Sequence, residues 1–142
     1  REVGDRLDWS RVHFLGKVPY AAYREIIQVS RCHVYLTAPF VLSWSSMEAM
    51  SMGATLVASD TAPVREVMTH GETAMLVDFH DHAALARQVI EVLEAPGDFA
   101  HLGRNARAHM VARYDFATRC LPVHLEKINS LVPKAKAIAL PR

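Results

Sequence analysis

Apolar positions fall into short runs separated by stretches of helical length. The segment Arg11-Val-His-Phe-Leu-Gly16 alternates loosely and ends in glycine, which predicts a strand closing into a loop. Pro19 opens a predicted helix, as proline does at a first turn. Tyr23, Ile26, Ile27 and Ser30 then recur at helical spacing. Cys32-His-Val-Tyr-Leu-Thr37 is a β-rich run that Pro39 stops, because proline cannot continue a central ladder. A helix follows over residues 44–52, with Ser43 as its N-cap and Gly53 as a left-handed stop. Thr55-Leu-Val-Ala58 is continuously apolar, as buried parallel strands are. A short helix over 63–68, a turn at His70-Gly71 and a strand at Ala74-Met-Leu-Val77 come next. Asp81 caps a longer helix on which Leu85, Val89, Val92 and Leu93 share one face, and Pro96-Gly97 ends it. Two more helices are predicted over 99–112 and 115–130.

Strict alternation of strand and helix predicts an α/β domain of Rossmann-like type: an open parallel sheet with helices on both faces. Residues 1–132 form one predicted domain, and 133–142, with Pro133 and Pro141, a frayed tail. Four strands are few for a doubly wound sheet. With no initiator Met at the start, the expectation is a fragment of a longer chain whose N-terminal strand or strands are missing.

Composition narrows the function classes. Lys plus Arg is 16 and Asp plus Glu is 15, a net charge of +1, so there is no electrostatic footprint for nucleic acid or an anionic membrane. Hydrophobic residues at 51% and charged residues at 22% describe a globular domain with a core. Cys32 and Cys120 are too few for a disulfide scaffold and point to a reducing, cytoplasmic compartment. No signal peptide is visible. The small and apolar stretch 38–59 contains Pro39, Glu48 and Gly53, so it reads as a buried strand–turn–helix–strand unit and not as a transmembrane segment.

In open α/β sheets ligands bind beyond the carboxyl ends of the strands. Three loops qualify: Gly16-Lys17-Val18-Pro19, Ala38 to Ser43, and Ser59 to Pro63. The second leads into a helix whose free amides suit phosphate. Ser43, Ser45 and Ser46 add hydroxyls there. Glu48, about one turn inside, would repel a phosphate directly on it but could accept hydrogen bonds from a vicinal diol one step away. Together these describe a nucleoside diphosphate. The alternative is a helix that starts with serines and carries one solvated glutamate.

The string from Pro39 to Asp60, PFVLSWSSMEAMSMGATLVASD, resembles the signature of retaining glycosyltransferases of family four. Pro63-Val-Arg-Glu66, Gly71, Leu76-Val-Asp78 and Arg11-Val-His-Phe-Leu-Gly16-Lys-Val-Pro are similar to further parts of that pattern, so the likeness runs from about Val12 to about Tyr114. The resemblance implies the C-terminal, donor-binding half of a GT-B fold. It implies a nucleotide-sugar donor as substrate, no metal cofactor, and a missing N-terminal Rossmann-like half as partner. Glu48 matches the glutamate that holds the donor ribose. Phe40 falls where the family carries its other glutamate, toward the donor sugar, and phenylalanine cannot accept a sugar hydroxyl. Leu42, Ser43 and Trp44 match the backbone stretch around the donor sugar and diphosphate. Gly16, Lys17 and Val18 match the loop beside the nucleobase. No residue is assigned a catalytic role, since the acceptor side would come from the other half.

The remaining residues receive plainer readings. Asp60 is expected to cap the next helix in preference to a catalytic role, Trp44 to wedge into the core in preference to stacking on a ligand, and Lys17 to be a surface lysine in preference to meeting a phosphate. Glu66 reaches the cleft or sits on an exposed face. His80, His82, Asp78 and Asp81 read as a solvated helix start, not a metal cluster. Met47, Met50 and Met52 read as core filler and Cys32 as inert. Leu121, Leu125, Ile128 and Leu131 form an apolar stripe expected to be partly exposed. The rival to an enzyme is a non-catalytic α/β interaction or signalling domain with Asp60 as phosphoacceptor. A third reading is a homo-oligomer formed through the face that truncation exposes.

Overall fold

The computed structural model describes residues 7–37 and 41–131. The predicted tail and Phe40 lie outside the described residues. Three short strands, β1 (His33–Tyr35), β2 (Leu56–Ser59) and β3 (Met75–Val77), form one parallel sheet in the order β1-β2-β3. Val34 pairs with Val57, and Ala58 with Leu76. The helices α1 (Tyr20–Val29), α2 (Trp44–Ser51), α3 (Ala62–Arg65), α4 (His82–Glu94), α5 (Pro96–Tyr114) and α6 (Leu121–Leu131) surround it.

The central strand shows why the sheet is covered on both faces. Successive strand residues point to opposite sides. Leu56, Val57, Ala58 and Ser59 are nevertheless all fully buried. On one side, Tyr35, Leu56, Ala58 and Leu76 join Ala49 and Met50 of α2, Val64 of α3, Ile27 of α1 and Met110 of α5 in the main core. Met47 and Met52 pack against it, so the methionine reading holds. On the other side, Val57 is buried where α4 lies against β2 and β3.

Local chemistry sets the element ends. Ser43 caps α2 by accepting from the Ser45 amide. Gly53 follows α2 with φ +76, a conformation that side chains disfavour. Asp81 caps α4 by accepting from the Ala84 amide. Asp115 does the same for a π-helical turn, Phe116–Cys120, that leads into α6.

Several sequence expectations are corrected. Residues 11–16 are not a strand: Trp9–Arg11 is a 3-10 turn, and β1 pairs only with β2. The consecutive apolar residues Phe14 and Leu15 break the period of two, and both are exposed, at 84% and 58%. The described sheet therefore has three strands and not four. Pro96-Gly97 does not simply end a helix; Pro96 starts α5, where its missing N–H costs nothing. Leu93 is exposed, off the Val92 face. Trp44 is not wedged into the core: it is 80% exposed. Asp60 does not cap α3; its carboxylate pairs with Arg65 at 2.9 Å, and Thr61 occupies the cap position without a side-chain bond. The stripe on α6 is exposed along its length, from Leu121 at 36% to Leu131 at 70%.

The closest helix crossing is α2 on α5. A Cβ built on Gly103 would run into the Gly53 carbonyl. Backbone cannot yield as a flexible side chain does, so the clash outweighs the better helix propensity of alanine. Gly103→Ala is expected to destabilise the fold by about 1–2 kcal/mol in urea denaturation. A second prediction comes from His33, whose pKa is pushed below its ordinary 6.5 by burial. A depressed histidine leaves the folded state with fewer bound protons than the unfolded one. Stability therefore rises with pH until the unfolded value is passed. The melting temperature is expected to climb between about pH 5 and about pH 7, and His33→Gln to flatten that climb.

Candidate functional site

Parallel pairing puts the carboxyl ends of β1, β2 and β3 at one edge, and α2, α3 and α4 each begin there. The chain runs from α1 into β1, so the start of α1 and the 16–19 loop come back to the same edge. A hydrogen bond joins the two regions. The Tyr20 hydroxyl donates to Glu48 Oε1 at 3.2 Å.

The loop from β1 to α2 is tied at both ends. Ser59, fully buried at the end of β2, accepts from the Thr37 amide and donates to the Thr37 carbonyl, each at 3.2 Å. The Tyr35 hydroxyl, also buried, accepts from the Ser43 amide at 2.8 Å. At the start of α2, Ser46 Oγ donates to the Ser43 carbonyl at 2.8 Å, and the Ser43 and Ser45 hydroxyls lie 3.0 Å apart. The amides of Ser43, Ser45 and Ser46 are therefore engaged within the protein. The bond from the Ser45 amide to Ser43 Oγ is the weakest of these, at 3.3 Å. It is the one that a stronger acceptor, such as a phosphate oxygen, would displace most readily.

Glu48 is half-buried on the second turn of α2. Helical side chains lean back toward the N-terminus, so its carboxylate covers the turn at Trp44. Tyr23, one turn along α1 from Tyr20, stands beside it. Burial, and then the negative charge of Glu48, push the Tyr23 hydroxyl above its ordinary pKa. That hydroxyl is buried, and the Glu48 carboxylate is the acceptor beside it. The rings of Tyr20 and Tyr23 stack with centroids 5.9 Å apart.

The structure brings Ser43, Trp44, Glu48 and the 16–19 loop to one edge. Trp44 presents its ring to solvent, and Lys17 is exposed at the loop. Gly16 takes φ +61, which turns the chain before Lys17 and the half-buried Val18. Leu42 packs against the core. Tyr20, Tyr23 and Tyr35 were not legible as site residues. The available signals were Tyr20 directly after the Val18-Pro19 pair and Tyr35 ending a strand.

Other candidates stand apart. Glu66 is exposed. Asp78 accepts from the His80 amide and Asp81 from the Ala84 amide, so both carboxylates serve backbone turns. Among the described residues no group of three or more His, Cys, Asp or Glu is placed to hold a metal ion. Burial pushes the Cys32 thiol up, away from the reactive thiolate. No helix among the described residues is long and apolar enough to cross a membrane. A cavity of about 280 Å³ lies along the strand-end edge, lined by Asp60, Thr61, Arg65, Asp78, Phe79 and His80. A larger groove, of about 590 Å³, runs along α5 beside Arg104, Arg107 and Arg119, away from the strand ends.

Known structures share this fold. Sucrose-phosphate synthase from Thermosynechococcus elongatus superposes with a TM-score of 0.77 at 23% identity, over 91% of this chain and 32% of that one. Anabaena HepE, solved in complex with UDP, gives 0.78 at 24% identity, over 92% of this chain and 35% of its own. TarM gives 0.72 at 16% identity, over 91% and 25%. The chain thus spans about a third or less of the length of these proteins. No curated protein matches the sequence. Residues 5–109 match the family described as "Glycosyl transferases group 1". With most of its length inside that match and its fold shared with GT-B glycosyltransferases, the chain belongs to the group 1 glycosyltransferases.

Proposed function

We propose that this chain is the donor-binding part of a retaining glycosyltransferase that uses a nucleoside diphosphate hexose. The observation that carries the reading is the position of Glu48: one turn inside a serine-capped helix, at the carboxyl edge of a parallel sheet, hydrogen-bonded to the residue that follows the 16–19 loop. A pentose diol on Glu48 lies one step from the start of α2, where the helix dipole and the Ser43 and Ser45 hydroxyls favour negative charge. The nucleobase then falls toward Gly16, Lys17 and Val18. HepE, which shares the fold, is solved with UDP, and this supports a nucleoside diphosphate here.

When the glycosyl bond to the donor breaks, negative charge grows on the departing diphosphate. Donors already aimed at that charge lower the barrier without reorganising. In this reading the dipole of α2 and the Ser43 and Ser45 hydroxyls supply a favourable field once the bond from the Ser45 amide to Ser43 Oγ is displaced, and Lys17 adds a cation at the rim. The acceptor and any general acid or base come from a second Rossmann-like half, so the chain alone binds the donor and transfers little or nothing. The exposed stripe on α6 fits a face covered by that half. The two free cysteines fit a cytoplasmic protein.

Calorimetric titration with UDP and GDP tests the site. Glu48→Ala is expected to weaken binding by about 1–3 kcal/mol, the range for a lost hydrogen bond to a charged group. Equal affinities for wild type and variant would remove Glu48 from the site.

A further inference from the structure

Glu48 does not stand alone, and its surroundings extend the donor-site reading, on which this inference rests. Two tyrosines of α1 face the carboxylate. Tyr20 donates to Oε1 at 3.2 Å from a ring that is 60% exposed at the strand-end edge. Tyr23 stacks on Tyr20, with its buried hydroxyl beside the same carboxylate. A carboxylate offers about four lone-pair positions. Tyr20 takes one and Tyr23 lies beside another, which leaves two for the hydroxyls of a vicinal diol. Tyr20 also directly follows Pro19, so its bond fixes the distance between the 16–19 loop and α2. An exposed hydrogen bond contributes little to folding, yet it selects one orientation of a side chain that otherwise samples several.

We propose that Tyr20 is a positioning and specificity residue of the donor site: its hydroxyl turns the Glu48 carboxylate toward the 16–19 loop, in the orientation that receives both hydroxyls of a ribonucleoside diphosphate. Its contribution therefore depends on Glu48 and on the 2′-hydroxyl of the ligand. A residue that only packs α1 against α2 would depend on neither.

The test titrates the 142-residue chain with UDP, GDP and the 2′-deoxy form of whichever binds more tightly. Wild type, Tyr20→Phe, Glu48→Gln and the double variant are compared, with a melting curve for each. Tyr20→Phe keeps the ring and removes the hydroxyl. It is expected to weaken the ribonucleotide by about 3- to 10-fold, less than the loss of a direct hydrogen bond to a charged group, because Tyr20 acts through Glu48. The 2′-deoxy ligand changes much less, so ribose discrimination falls, while the melting temperature stays at the wild-type value. The double variant binds no more weakly than Glu48→Gln, because both substitutions remove one device. Unchanged binding by Tyr20→Phe alongside weakened Glu48→Gln overturns this inference and leaves the donor site standing. Equal losses for both ligands with a lower melting temperature make Tyr20 a packing residue and overturn it as well. If neither diphosphate binds, or Glu48→Gln binds as wild type does, the donor-site reading fails and this inference fails with it.

Discussion

The architecture depends on burying β2 completely. A strand with no exposed face and no exposed edge must pair its backbone on both sides, since an unpaired buried amide or carbonyl costs as much as a lost hydrogen bond. Here the partners are parallel, and parallel neighbours need a crossover on a face of the sheet. That brings every strand end, and the starts of α1, α2, α3 and α4, to the same edge. The site follows from this placement more than from any single residue. Ser59 shows the coupling, because it ends the buried strand and its hydroxyl holds Thr37, where the next loop begins. Tyr35 repeats the arrangement from β1, holding the Ser43 amide from a buried ring. The mouth in front of α2 is thus fixed from the core.

Much of this was legible in the sequence, for reasons that differ by element. The α2 unit could be read because its signals are local: Ser43 must accept a helical amide, and Gly53 must turn left-handed. The β2 run was legible because a doubly buried strand has no polar position to interrupt it. Residues 11–16 misled because apolar character is only half of what makes a strand. A ladder also needs a partner, and pairing is a property of the fold and not of the segment. Asp60 misled in a similar way, since a cap and an ion pair compete for one carboxylate and Arg65, five residues on, wins it. Trp44 was read as core in preference to a ring free to stack on a ligand, but position 44 is the first residue of α2 and its ring is exposed.

Glu48 was legible as a site residue, whereas its tyrosines were not. The glutamate announces itself by charge inside an apolar stretch. Tyr20 and Tyr23 sit in an ordinary amphipathic pattern, where an aromatic residue reads as packing. Only the return of α1 to the strand-end edge brings their hydroxyls to one carboxylate, 28 positions along the chain from Tyr20 and 25 from Tyr23. The same long-range logic governs Gly103: nothing in its own segment calls for a glycine, and its approach to the Gly53 carbonyl sets how closely α5 lies on α2.

A carboxylate beside the proposed anion site looks like a conflict, and the helix geometry gives the two separate directions. The favourable field of a helix start is confined to its first turn and lies along the axis. Glu48 is on the next turn, and its charge is drawn sideways onto the Tyr20 hydroxyl. The axial direction, past Ser43 and Ser45, is left to the acceptor that can break the long bond between them. A ligand that carries a neutral diol at one end and a diphosphate at the other matches both fields at once. A simple phosphate matches only the first of them, and a free sugar only the second. On the donor-site proposal the arrangement favours the joined molecule over either part, as a glycosyl donor requires.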